Sequence, residues 1–359
     1  MLMEQTPSQQ NWQPYNSLKK PGQMRAQSYQ TIAHGSDTIQ FFQLRRSRGA
    51  CEKFHGAVIA HSGSGDTRVF RECAQLGEEL KNLGTELLGA GNPAEVGIIF
   101  DWDNYWALEY TSGPNIDLKY VDQIHRYYKY FYERHIPVDM IPIDGDLSRY
   151  KVICAPVLYM VKEGVAEALE AFVEAGGTLV TGMMSGIVDQ SDNVHLGGYP
   201  GPLRRLCGIW TEETDALAPE QGNTLVFGDG SQSGCGLLCD LIRLEGAQVI
   251  ASYGGDFYKG TPAVTRNSFG RGTVYYVGTQ PDSQGLAKIL DGLELEPLVP
   301  DETSLEIDRR VVDGREYWFL INLTGTPQAM PGSFKGETDI LTGRVPGELA
   351  GFDTVVIKR

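Results

Sequence analysis

No stretch of this chain approaches the roughly 20 consecutive apolar residues that a membrane-crossing helix requires. The start also lacks a basic segment leading into a short apolar run and a small-residue cleavage site. The expectation is a cytoplasmic protein without a helical anchor. Positive charge is scarce: 31 Lys and Arg stand against 46 Asp and Glu, a formal net charge of −15 with a sequence pI near 4.9. The summed field repels phosphate backbones and anionic lipid surfaces, which argues against nucleic acid or a membrane as partner. Cysteine is sparse as well. Six are scattered over 359 residues, without the density of a secreted disulfide scaffold, so free thiols are expected. Cys235 and Cys239 in SGCGLLCD could share a helix face as two metal ligands, but no His or second Cys pair stands nearby to complete four-coordination. Buried small side chains are the better reading. Internal repeats and low-complexity tracts are lacking too. What is present is ordinary globular composition, 41% hydrophobic and 21% charged, long enough for two or three domains.

Along the chain, Pro21-Gly22 introduces a helix, MRAQSYQTIAHG, stopped at Gly35, and TIQFFQL (38–44) is a β-branched and aromatic strand. In TRVFRECAQLGEELKNLG, Val69, Cys73, Leu76, Leu80 and Leu83 form one apolar stripe of a helix capped by Asp66 or Thr67 and ended by Gly84. GAGNPAE (89–95) reads as a linker. The alternation then restarts: EVGIIFDW, IPVDMIPI, YKVICAPVLY and TLVTGMM are strands. Helices lie between them, one carrying Leu118, Val121, Ile124, Tyr128 and Phe131 on one side. That order predicts an open, mostly parallel sheet covered on both faces, flavodoxin-like or class I amidotransferase-like. The glycine-rich stretch from Gly186 to about Pro262 reads as loop and irregular strand inserted in it. The last 60 residues are short alternating strands, with Asp313-Gly314 as a hairpin turn, and predict a small antiparallel β-sandwich. The resulting domains are 1–90, 91–299 and 300–359.

Three places could carry chemistry. An amidotransferase site needs a nucleophile on a strained strand-to-helix turn, whereas Cys154 lies inside a strand-like run and Pro156 stands where the elbow belongs. The middle domain is therefore read as non-catalytic. FDWDNYWALEY (100–110) gathers aromatics and carboxylates at a strand's C-terminal end, where open α/β sheets bind ligands; an aromatic interface patch is at least as good a reading. In CEKFH, Glu52 and His55 stand three apart just after a strand. A di-iron motif would need a second copy and two further carboxylates, and only one copy exists. A polar loop contact is the plain reading, weighted toward function because active sites form at the C-terminal ends of parallel barrel strands.

Taken together, LMEQTPSQQNW, FFQLRRSRGACEKFH and FDWDNYWALEY, followed by the middle and final domains in this order, resemble the C-terminal half of the glycoside hydrolase family 42 β-galactosidases across essentially the whole chain. The resemblance implies a TIM barrel entered at strand seven, so that 1–90 holds its last two β/α units, then an amidotransferase-like domain that mediates trimer formation, then a small β domain. It implies that Glu4 is the catalytic nucleophile at the end of strand seven and that Trp12 packs on the sugar. Glu52 and His55 after strand eight then hydrogen-bond its hydroxyls. The chemistry suits a galactose: an indole covers its apolar C–H face, while a carboxylate and an imidazole orient hydroxyls.

A retaining glycosidase needs a second carboxyl group about 5–5.5 Å from the first, to protonate the leaving oxygen and later activate water. The family's acid/base is a Glu preceded by Asn at the end of strand four, and nothing in this chain fits strand four. The expectation is a chain inactive or nearly so by itself, with residues 1–85 poorly ordered or packed on a substitute for the rest of the barrel. No metal or cofactor is assigned. Expected partners are a β-galactoside, two further copies in a homotrimer and a separate N-terminal barrel fragment. The alternative reading is a non-catalytic trimerising scaffold or a complementing fragment.

Overall fold

The computed structural model describes residues 1–359, which divide into two compact units: Met1–Pro93 with Pro297–Arg359, and Ala94–Glu296. The first segment holds β1 (Leu2–Gln5), α1 (Gln23–Ala33), β2 (Ile39–Phe41) and α2 (Arg68–Leu83). The middle unit runs β3 (Val96–Ile99), α3 (Trp102–Tyr110), α4 (Tyr120–Tyr132), β4 (Val138–Ile141), β5 (Val152–Ala155), α5 (Val165–Glu174), β6 (Thr178–Gly182) and a short α6 (Arg204–Cys207). It continues with β7 (Ile209–Ala216), β8 (Asn223–Phe227), β9 (Gln232–Leu244), β10 (Gln248–Tyr253), β11 (Pro262–Phe269), β12 (Gly272–Val277), β13 (Thr279–Pro281) and α7 (Ser283–Asp291). The last segment contributes β14 (Glu306–Val312), β15 (Arg315–Ile321), β16 (Gln328–Ala329), β17 (Glu348–Leu349) and β18 (Thr354–Lys358).

In the first unit, β1 and β2 pair in parallel, Leu2 opposite Ile39 and Gln5 opposite Phe41, with α1 as the crossover between them. β2 is shorter than the predicted 38–44 because its ladder has only the four residues of β1 to pair with. The α2 stripe forms as expected. The Thr67 side chain accepts from the Phe70 N–H at 3.2 Å, and the helix ends at Gly84 with φ 58°, a backbone state open to glycine. Residues 1–85 do not stand alone: Met24, Tyr29, Ile32, Cys73 and Leu76 share one core with Tyr317, Phe319 and Val356 of the last segment. There, β14, β15 and β18 make an antiparallel sheet. The β14–β15 turn takes positive φ at both Asp313 and Gly314, as a two-residue hairpin requires. The sheet's other face packs on Val299, Met330, Phe334 and Leu349, next to the two-residue β16–β17 ladder.

The middle unit is a single 11-stranded sheet. Five neighbouring strands, in the order β4-β3-β5-β6-β12, are parallel, the 2-1-3-4-5 order of flavodoxin-type sheets. The remaining six are antiparallel, so the sheet is less parallel than predicted, and the glycine-rich 186–262 stretch is largely long strand; β9 alone has 13 residues. Glycine misled there because it permits positive φ, as at Gly197, Gly198 and Gly208, in the connections between strands rather than within them. Apolar cores fill the two faces of the parallel part. α4 buries Tyr120, Ile124, Tyr127 and Phe131, a face rotated from the predicted one toward its tyrosines. No helix is long and apolar enough to cross a membrane.

Candidate active site

The cleft of interest forms where the loops following β1 and β2 meet. Both strands run in the same direction, so both loops leave from one end of the pair. Three bonds stitch them together: the Gln9 amide donates to the Phe54 carbonyl at 3.1 Å, the Asn11 amide to the Cys51 carbonyl at 2.7 Å, and the Gly56 N–H to the Gln9 carbonyl at 2.7 Å. Position 56 has no room for a side chain, because a Cβ there would stand 2.7 Å from the Gln9 carbonyl oxygen. Lys19 closes the loop from its other side by donating to the Thr6 carbonyl at 2.6 Å, and burial brings its ammonium down to about 8.

The result is an open cleft of about 560 Å³ lined by Glu4, Thr6, Tyr15, Lys19, Gln27 and His55, among others. Glu4 is exposed into it from β1. His55 is buried, its ring edge on Phe42 with centroids 5.0 Å apart. Its Nδ1 lies 2.9 Å from the Gly56 carbonyl. A carbonyl only accepts, so Nδ1 carries the proton and Nε2 of the neutral ring is the acceptor. Of the four residues singled out in the sequence, the structure brings Glu4 and His55 to one cleft. Glu52 is half-buried beside it, its carbonyl accepting from the His55 N–H at 3.1 Å, and its Oε2 is buried without a hydrogen-bond partner. Trp12 follows the Asn11 that is tied to Cys51, but its indole is 61% exposed and does not line the cleft. Tyr15, Lys19 and Gln27 were not anticipated. In sequence they fall in a loop and on an ordinary helix face, and only the fold brings them to the edge of one cleft.

Elsewhere, the candidate features resolve as structure. Cys154 is fully buried in β5, and burial pushes its thiol well above the ordinary range, away from nucleophilic use. Cys235 and Cys239 lie on a strand, β9, rather than on the helix face considered above, and both are buried. In FDWDNYWALEY, Asp101 caps α3 by accepting from the Asn104 N–H at 3.1 Å, and Lys162 bridges Asp101 and Asp103 at 2.9 and 2.7 Å. Trp102, Trp106 and Tyr110 are left exposed.

Parallel strands that carry an acid and an imidazole at one end are a geometry shared by many enzyme classes, and the comparisons with known proteins decide the family. Residues 94–298 match the model of the β-galactosidase trimerisation domain, and residues 1–83 match the β-galactosidase model of the same family. The chain belongs to glycoside hydrolase family 42. It is 49% identical over 364 residues to β-galactosidase LacZ of Lactobacillus acidophilus, covering 100% of this chain and 54% of that protein. Against β-galactosidase BgaP of Planococcus sp. it is 54% identical over 331 residues, covering 90% and 49%. Among solved structures, the β-galactosidase from Bacillus circulans sp. alkalophilus superposes with a TM-score of 0.96 at 49% identity, covering 100% of this chain and 55% of that one. A catalytic mutant of Gan42B, a GH42 β-galactosidase from G. stearothermophilus, superposes with a TM-score of 0.93 at 38% identity, covering 100% and 54%. The chain spans about half the length of the curated relatives it matches.

Proposed function

We propose that this chain is the C-terminal half of a retaining β-galactosidase, with Glu4 as nucleophile. In this reading β1 and β2 are the seventh and eighth strands of a TIM barrel. Trp12 covers the apolar face of a terminal β-D-galactosyl group, and Glu52 and His55 hold its hydroxyls. The observation that carries the proposal is the shared cleft of Glu4 and His55 at one end of a parallel strand pair. Glu4 attacks the anomeric carbon while the second carboxyl group protonates the leaving oxygen, so the glycosidic C–O bond breaks as a glycosyl ester of Glu4 forms. That group, now a base, takes a proton from the water that hydrolyses the ester and releases galactose. That acid belongs to a strand outside this chain in the proposed assembly. Loss of general acid/base help alone costs about 10²–10⁴ in rate, so the chain by itself is inactive or nearly so.

The middle unit, amidotransferase-like in this proposal, trimerises the protein, and the cytoplasm is the proposed compartment; six free cysteines suit a reducing one. A second reading, a scaffold or complementing fragment joined by a separate barrel half, draws on the exposed Met3, Tyr15, Leu18, Leu44 and Phe54 of the first segment.

The test is an aryl β-galactoside assay on the chain alone and after mixing with a separately expressed N-terminal barrel half. Turnover is expected only in the mixture, and Glu4→Gln abolishes it. Turnover by the chain alone that disappears in Glu4→Gln would overturn the incompleteness, and an active Glu4→Gln mixture would overturn the nucleophile. Adduct formation at Glu4 with an activated 2-fluoro galactoside gives an independent reading.

A further inference from the structure

Strand β14 turns three charged side chains, Glu306, Asp308 and Arg310, to the same face at alternate positions, and all three are buried. Alternation normally hides one apolar face. Here Ile307 fills the core on one side while the charged residues meet α1 and the loops around it on the other. Arg310 is fully answered by the Ile32, Ser36 and Ala90 carbonyls and by Asp37. Around the two carboxylates stand the Gln30 amide and the His34 ring. Glu306 accepts from the Gln30 amide at 2.6 Å and lies 3.0 Å from His34 Nε2. Asp308 Oδ2 lies 3.3 Å from the same nitrogen and has no hydrogen-bond partner, although its side chain is only 9% exposed.

His34, Glu306 and Asp308 together offer one nitrogen and two carboxylate oxygens close to one another. A dication bound to a neutral imidazole and two carboxylates would balance exactly two charges with two. The spacing suits one. Ligand atoms about 2.1 Å from a common ion are roughly 3.0 Å apart at a right angle and roughly 3.4 Å apart at the tetrahedral angle. The separations of 3.0 and 3.3 Å fall in that interval, and all three donor atoms lie within 4.8 Å of one another. The His34 side chain is 34% exposed, which gives an ion and its waters a way in.

We propose that His34, Glu306 and Asp308 form a binding site for a first-row divalent cation of the Zn²⁺ type, with water completing the coordination. One imidazole with two carboxylates favours such an ion over Mg²⁺ or Ca²⁺, which prefer all-oxygen sets. The Gln30 amide holds Glu306 from behind, orienting the ligand without touching the ion. The site joins α1 to β14, and none of its three ligands lines the Glu4 cleft, although Gln30 does.

The experiment is titration calorimetry of the full 359-residue chain, stripped with chelator, against Zn²⁺ and, as a control, Mg²⁺. A Cys51→Ser background removes the one exposed thiol. Saturable 1:1 Zn²⁺ binding is expected, with no Mg²⁺ binding, and a melting temperature that rises with Zn²⁺. His34→Gln and Asp308→Asn should each weaken binding at least tenfold, and Gln30→Ala about tenfold. His34→Gln changes a partly exposed side chain and should fold, which circular dichroism checks. Zn²⁺ affinity unchanged in His34→Gln, or no binding tighter than ~1 mM, overturns the proposal and leaves a proton-sharing ion cluster.

Discussion

Asp240 is a carboxylate kept where a carboxylate is costly. It is buried in β9, and only the Thr214 and Tyr276 hydroxyls, at 2.7 and 2.8 Å, stabilise its charge. Burial outweighs them and pushes the carboxyl up to about 6 from an ordinary 3.8. Between those two values the folded chain keeps a proton that the unfolded chain has released. Stability from this group is therefore present at low pH and lost as pH rises through that window. A shift of about two units corresponds to about 3 kcal/mol at most. Asp240→Asn is expected to stabilise by about 1–3 kcal/mol at pH 7 and by nothing at pH 3.5, read from urea unfolding at both. Equal effects at the two pH values would exclude this account. Arg310 is the opposite case, a buried charge with every donor used. Arg310→Met strands the Ser36 and Ala90 carbonyls and should cost about 3–5 kcal/mol. Arg310→Lys should recover little of this, since an ammonium cannot reproduce the planar fork; thermal melts of the two variants decide it.

Among the elements, the candidate cleft depends on one close approach. Gly56→Ala puts a methyl group 2.7 Å from the Gln9 carbonyl oxygen, so the loop after β2 must move away from the loop after β1. Increased proteolysis within 45–60, with little change in the middle unit, is the expected outcome of limited digestion. What the sequence disclosed follows the same scale. Helix α2 was legible from end to end, because its apolar period, its Thr67 cap and its terminal Gly84 all point to one structure. The parallel strands of the middle unit were legible as short apolar runs between helices. The long antiparallel strands within 186–262 were not, because their glycines, read as loop, obscure strands whose stability comes from distant partners such as β9 with β7. At the site, the roles proposed for Glu4, Trp12, Glu52 and His55 came from the family resemblance. Local pattern could not have found Lys19 or Tyr15, which a fold-dependent loop path brings to the cleft. The buried charges of β14 were equally hidden, since alternation tells which residues share a face but not what covers it.

For the whole molecule, the telling quantity is apolar surface left in water. Met3, Trp12, Tyr15, Leu18, Leu44 and Phe54, all within the first 54 residues, are more than half exposed, while the helices α1 and α2 behind them are packed on the β14–β15–β18 sheet. One side of the segment is thus satisfied within its own unit and the other is not. Exposed apolar side chains gathered in one segment are what a covered face requires. A two-stranded parallel sheet also leaves ladder groups open on both edges. If the proposed barrel half supplies the cover, binding should raise stability by mass action, about 2.7 kcal/mol at a hundredfold excess over its dissociation constant. The check combines three readings on the chain with and without six β/α units from a relative such as the Lactobacillus acidophilus enzyme. Melting temperature should rise, binding of a hydrophobic dye should fall, and hydrogen exchange should slow across 1–5 and 38–44. Slow exchange in both segments without the added half would mean that the two strands are already held by their own unit, and the covered-face argument would fail.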